Sequence, residues 1–169
     1  MLDTAGSLVT ERSPFDLDRC HEVSVCDLNG AERFVVWAIR WRCSDQDDEE
    51  FADACLQDSF DRAGLPSAKH ALEQFVCAAC PHRLACSALQ RLGCWRLNQL
   101  EARALHAIAC LQAGLIGEAW HTLRVVCPEA KLKVALESLQ DMAHALDRSG
   151  GVIQRWKQAG LTRAPASVH

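Results

Sequence analysis

Asn29-Gly30-Ala31-Glu32-Arg33-Phe34-Val35-Val36-Trp37-Ala38-Ile39-Arg40-Trp41-Arg42-Cys43 decides the fold class. Asn29 suits an N-cap, and Glu32, three residues on, completes a capping box with it. Phe34, Trp37, Ala38 and Trp41 then recur at helical spacing, which predicts a helix through Cys43 with one apolar face in the core. Upstream, Glu22-Val23-Ser24-Val25-Cys26 is the one alternating, strand-like run. One run cannot make a sheet.

The pattern continues downstream. Asp45, Asp47, Asp48, Glu49 and Glu50 suit the positive end of a second helix carrying Phe51, Cys55 and Phe60, which Gly64 and Pro66 end. The acidic run lacks the glycine turn and distal glutamate of a calcium loop. Ser67 to about Cys77 reads as a third helix with Leu72, Phe75 and Val76 inward. Pro81 suits the first turn of another, ending at Gly93. Leu97 to Gln112 and Gly117 to Val126 read as a helical hairpin broken around Gly114. Pro128 opens a last long helix with Leu132, Leu136, Leu139, Ala143 and Leu146 on one face, stopped by Gly150-Gly151.

The expected architecture is a single all-α domain of about six helices over residues 20–151. A flexible arm (1–19) precedes it, and a short helix or flexible tail (152–169) follows. Its core is expected to draw on Phe34, Trp37, Trp41, Phe51, Phe75, Leu89, Leu136 and Leu139.

A chain of 169 residues buries one core without disulfides, so its ten cysteines need another explanation. Residues 1–19 contain Asp3, Glu11 and Arg12 and no apolar run of signal-peptide length. No segment approaches the roughly 18–20 apolar residues of a membrane span. The expected location is therefore cytoplasmic, where cysteine clusters bind metals or act in redox chemistry more often than they form disulfides. A formal charge of −4 argues against broad attraction to nucleic acid or to anionic membranes. Arg83, Arg91 and Arg96 read as a solvated helix surface.

Cys77-Ala-Ala-Cys80-Pro81-His82-Arg83-Leu84-Ala85-Cys86 carries the chemistry. Its C-x2-C-x5-C spacing places one thiolate at a helix end, one in the turn and one in the next helix, so that all three converge on a corner. Soft thiolates select zinc or iron–sulfur clusters over magnesium or calcium. Both commonly need a fourth ligand. Cys94 lies eight residues beyond Cys86, about 12 Å along a helix axis at 1.5 Å per residue. Cys55, expected to face inward with Phe51, is the preferred fourth ligand, and Cys43 is the next choice. His82, in a first helical turn, reads as solvent-facing rather than as a zinc ligand.

The run Val76 to Leu89, followed by Leu92-Gly93-Cys94-Trp95, resembles the core of the WhiB-like iron–sulfur transcriptional regulators. That resemblance implies a 4Fe–4S cluster sensitive to oxygen or nitric oxide, a sigma-factor partner, and Cys77, Cys80 and Cys86 as ligands with an upstream Cys43 or Cys55. It covers about 20 residues. Cys94-Trp95-Arg96 stands where the family has a glycine-rich tryptophan turn, and the family's basic C-terminal tail has no counterpart. Glu32 to Arg40 and Leu100 to Leu105 are also similar to small proteobacterial helical proteins without an assigned activity.

Other features have structural readings. Ala104 to Pro128 resembles one tetratricopeptide unit, but a solenoid needs about three stacked repeats and the chain has one. Cys20, His21 and Cys26 are candidates for a second metal site or for small apolar packing residues. Cys110 and Cys127 fall in apolar helical patterns and read as core. His106, His121 and His144 have no local nucleophile motif, and no nucleophile elbow, phosphate loop or dinucleotide turn is present, so nothing in the sequence supports an enzyme.

The leading expectation is an iron–sulfur-binding regulatory or redox-sensing protein acting through a protein partner. The alternatives are a zinc-stabilised helical adaptor and a metal-free interaction domain whose cysteines fill the core. The sequence names no partner and no oligomeric state.

Overall fold

The computed structural model describes residues 17–44, 48–80 and 94–155. Among them the fold is all-α, with six helices: α1 (Gly30–Cys43), α2 (Glu49–Arg62), α3 (Ala68–Ala79), α4 (Gln99–Gln112), α5 (Ile116–Leu123) and α6 (Leu132–Ser149). Short 3-10 helices cover Leu17–Glu22, Val25–Asp27 and Glu129–Lys131. The expected Pro81–Gly93 helix, with Leu89, lies outside the described residues. So do the arm to residue 16 and the tail from residue 156.

Cap chemistry sets the helix starts. Asn29 Oδ1 accepts from the Glu32 amide at 3.0 Å while Glu32 Oε2 accepts from the Asn29 amide at 2.8 Å, so the capping box of α1 is formed. Asn98 and Glu101 form the same reciprocal pair at the start of α4. Asp48 caps α2 through the Phe51 amide, 2.9 Å away. Gly150, at φ +76°, ends α6 in the left-handed conformation that glycine adopts without strain.

The centre of the molecule is α4. Every residue from Glu101 to Cys110 is buried, including the polar Glu101, Arg103 and His106. Alanines at 102, 104, 107 and 109 let α5, α6 and α1 pack closely around it. The most extensive helix contact joins α3 to α6, through faces that include Leu72, Phe75, Leu139 and Met142. The aromatic stripe of α1 instead lies at the core margin. Phe34 meets Phe60 of α2 edge-on at 5.0 Å between ring centroids, and the half-buried Trp41 donates its indole N–H to the Ala52 carbonyl at 3.0 Å. The fully buried face of α1 is Val35, Val36, Ala38 and Ile39.

Two expectations are corrected. Phe51 is 62% exposed rather than in the core. It sits about two and a half helical turns from Phe60, and therefore on the opposite side of α2 from the buried Leu56 and Phe60. The strand-like run near Ser24 is mostly 3-10 helix, with a single bridge from Ser24 to Arg96. There the Val25 amide donates to the Trp95 carbonyl and the Leu97 amide to the Val23 carbonyl. With one partner segment and helices on both sides, no ladder extends. The core also begins before residue 20, since Leu17 is buried against it.

Residues 150–155 form a strap across the helix ends. The Ile153 amide donates to Gln112 Oε1, Gln112 Nε2 donates to the Gly151 carbonyl and to Asp147, and the Gln154 amide donates to Glu32 Oε1. Asn29 Nδ2 donates to the Val152 carbonyl. The Ile153 side chain is buried beneath. Among the described residues no helix is long and apolar enough to cross a membrane.

Candidate metal centre

The cysteine corner begins at the end of α3. Cys77 is exposed in the last turn, and Cys80, half-buried, caps the helix with its amide donating to the Val76 carbonyl at 2.8 Å. Cys86 and His82 lie outside the described residues. Cys55 is half-buried on α2, one turn beyond the exposed Phe51. Cys43 closes α1, and Cys94, half-buried, opens the segment into α4 with its carbonyl accepting from Arg40 Nη1.

Cys127, read from sequence as a core residue, is buried as expected and lies within electrostatic reach of Cys80. Its thiol is pushed up to about 11, first by burial and then by its electrostatic interaction with Cys80. The chain reversal after α5 brings it there, and helical periodicity gave no sign of that approach.

Elsewhere, Cys20 is buried and Cys26 is exposed, while His21 lies 4.0 Å from Glu22. Burial raises the Cys20 thiol above its ordinary range. Cys20 thus acts as a packing residue.

The tightest assembly of metal-ligating side chains among the described residues is His106, Cys110 and Glu118, whose ligand atoms all lie within 4.8 Å of one another. His106 and Cys110 are four residues apart on α4, and so one above the other on a single helix face. Gly114, at φ +73°, permits the reversal that returns Glu118, in the first turn of α5, beside them. Cys110 Sγ is 3.5 Å from His106 Nε2 and 3.8 Å from Glu118 Oε2. Arg155, at the end of the strap, holds the same carboxylate oxygen at 3.2 Å.

Burial pushes the Cys110 thiol up to about 11, and the Glu118 charge adds to it. Burial also holds the His106 imidazole below the usual histidine range, with the Arg155 cation acting in the same direction. A cysteine nucleophile needs the opposite: a lowered pKa, access, and a base oriented by a third group. Here the sulfur is fully buried, His106 Nδ1 has no hydrogen-bond partner among the described residues, and the carboxylate lies beside the sulfur. The three ligand atoms are close enough together to hold a metal ion. Its sequence signal was His106 and Cys110 at i, i+4, which apolar patterning masked; Glu118 follows Cys110 by eight residues across the α4–α5 turn and carries no motif of its own.

No family model, curated protein or solved structure matches this chain. The resemblance to WhiB-like regulators therefore stands on its motif.

Proposed function

We propose that this protein is an iron–sulfur-binding regulatory protein that senses redox state and acts through a protein partner. The observation that carries the reading is the placement of Cys77 and Cys80 at the end of α3, with buried Cys127 in electrostatic reach of Cys80. In this reading Cys77, Cys80 and Cys86 supply three ligands, and Cys127 takes the fourth position in preference to Cys55, Cys43 or Cys94.

The chemistry follows from the ligands' positions. A cluster held by a helix end, the segment after it and the α5–α6 turn links three parts of the fold, so its loss releases them from one another. Trp95, 56% exposed, stands directly after Cys94 with the Arg96 guanidinium 4.3 Å over its ring. An aromatic–arginine pair of this kind is a suitable anchor for a protein partner.

Anaerobic purification followed by visible spectroscopy and by iron, sulfide and zinc analysis tests the reading. The expected result is broad absorbance near roughly 400 nm with matching iron and sulfide, lost in Cys80→Ser. Stoichiometric zinc without iron would favour the adaptor reading. Metal-free protein that folds equally well would favour the interaction-domain reading.

A further inference from the structure

We propose that His106, Cys110 and Glu118 form a second, mononuclear site for a zinc-class divalent metal ion, separate from the cysteine corner, with Arg155 as the cation that the metal displaces.

The geometry is close to a coordination sphere. Zinc–sulfur bonds of about 2.3 Å and zinc–nitrogen bonds of about 2.0 Å place tetrahedral ligand pairs about 3.5 Å apart. Cys110 Sγ already stands 3.5 Å from His106 Nε2 and 3.8 Å from Glu118 Oε2. Only the distance from His106 to Glu118 must shorten, and the Glu118 side chain, 52% exposed, can turn inward. The two residues that must not move, His106 and Cys110, are fixed in the buried central helix.

The donor set selects the ion. One imidazole nitrogen, one thiolate and one carboxylate suit zinc and its late first-row neighbours and disfavour magnesium and calcium. Thiolate and carboxylate together balance a divalent charge, the thiol proton leaving to solvent as the metal–sulfur bond forms. Three protein ligands leave the fourth tetrahedral position to water on the exposed Glu118 side, which is also the entry path.

Arg155 makes the site conditional. Its guanidinium lies 3.2 Å from Glu118 Oε2, the oxygen that also faces Cys110. Metal and guanidinium compete for that oxygen, so metal loading frees Arg155. The end of the strap then keeps its anchors at Ile153 and Gln154 and loses its last one.

Cobalt(II) titration of the full-length Cys77→Ser/Cys80→Ser/Cys86→Ser protein tests the proposal, because the cysteine corner cannot hold metal there. The expected result is one cobalt per chain with a thiolate charge-transfer band and visible bands of tetrahedral cobalt, lost on adding Cys110→Ser. Glu118→Gln changes an exposed position, so it reports on the site even where Cys110→Ser disturbs folding. It should weaken cobalt binding by at least roughly 10-fold, since losing a direct ligand costs no less than losing an outer-shell partner. Arg155→Ala should tighten binding by up to about fivefold, the scale of one exposed ion pair. Absence of the band in the triple variant, or unchanged affinity in Glu118→Gln, would overturn the site. Unchanged or weakened affinity in Arg155→Ala would overturn the competition. Failure of iron binding at the corner leaves these outcomes unaffected.

Discussion

Arg40 of α1 grips Glu101 of α4 side-on at the centre of the molecule, Nε to Oε1 and Nη2 to Oε2 both at 2.8 Å. Both side chains are almost wholly shielded from water. The guanidinium also donates to the Cys94 and Arg96 carbonyls, and Glu101 also accepts from the Asn98 amide. One buried ion pair thus fixes α1, the start of α4 and the segment arriving from the cysteine motif.

Removing either member strands a buried charge. Glu101→Leu and Arg40→Met are each expected to cost about 3–5 kcal/mol, while Arg40→Met combined with Glu101→Leu costs well below their sum. Urea unfolding of the four proteins measures the coupling. Additive losses would show that the two side chains act independently.

Gly150 offers a smaller, cleaner change. Its φ of +76° is unfavourable for any residue with a Cβ, and an added methyl meets no atom within 4 Å. Gly150→Ala should therefore cost about 1–2 kcal/mol through backbone strain alone. Gly150→Asn should cost less, since asparagine tolerates the left-handed region. Equal thermal midpoints for wild type and Gly150→Ala would contradict this.

The helices were legible where cap chemistry and periodicity agree, as in Asn29–Glu32 and in the apolar face of α6. The central position of α4 was not, because alanine and cysteine give weak amphipathic contrast and Glu101, Arg103 and His106 read as exposed polar residues until their partners are placed. Phe51 misled for the opposite reason: an aromatic residue in a helix counts as core unless its angular position is checked against Leu56 and Phe60. The cysteine motif was visible because its cysteines are close together in sequence. Arg40, Cys127 and Arg155 are brought to their partners only by tertiary folding, and no local pattern encodes them.

The strap makes a prediction about local opening. Ile153 is 3% exposed and Gln112 bonds the Ile153 amide and the Gly151 carbonyl. Ile153→Ala should cost about 2–4 kcal/mol, and Gln112→Ala should speed amide exchange at residues 151–154 with little change at Ala102–Ile108. Uniform acceleration across both segments would mean that the strap opens only with the whole fold.

Alkaline pH should destabilise the reduced protein. Burial raises the Cys20 thiol above its ordinary 9.0, against the opposing Arg103 cation. The unfolded chain therefore releases this proton first, so the contribution is complete below about pH 9 and falls away as pH climbs toward the higher folded value. Urea unfolding of chelator-treated protein at pH 8 and pH 10 should show a smaller loss in Cys20→Ala than in wild type. An identical loss in both would assign the effect to other groups.

The fourth ligand of the cysteine corner separates what the sequence suggests from what the structure brings together. Sequence order favours Cys55, yet Cys55 is only half-buried on α2, close in angle to the exposed Phe51. Cys127 is buried and within electrostatic reach of Cys80, so a cluster at the corner would draw on both sulfurs. Anaerobically purified Cys127→Ser is therefore expected to retain much less iron and sulfide than Cys55→Ser, with near-wild-type cluster content in the latter. The far-ultraviolet circular dichroism of both variants should match wild type, which excludes unfolding as the cause. Loss of iron in Cys55→Ser with retention in Cys127→Ser would restore α2 as the source of the ligand, and would leave the Cys80–Cys127 approach as packing.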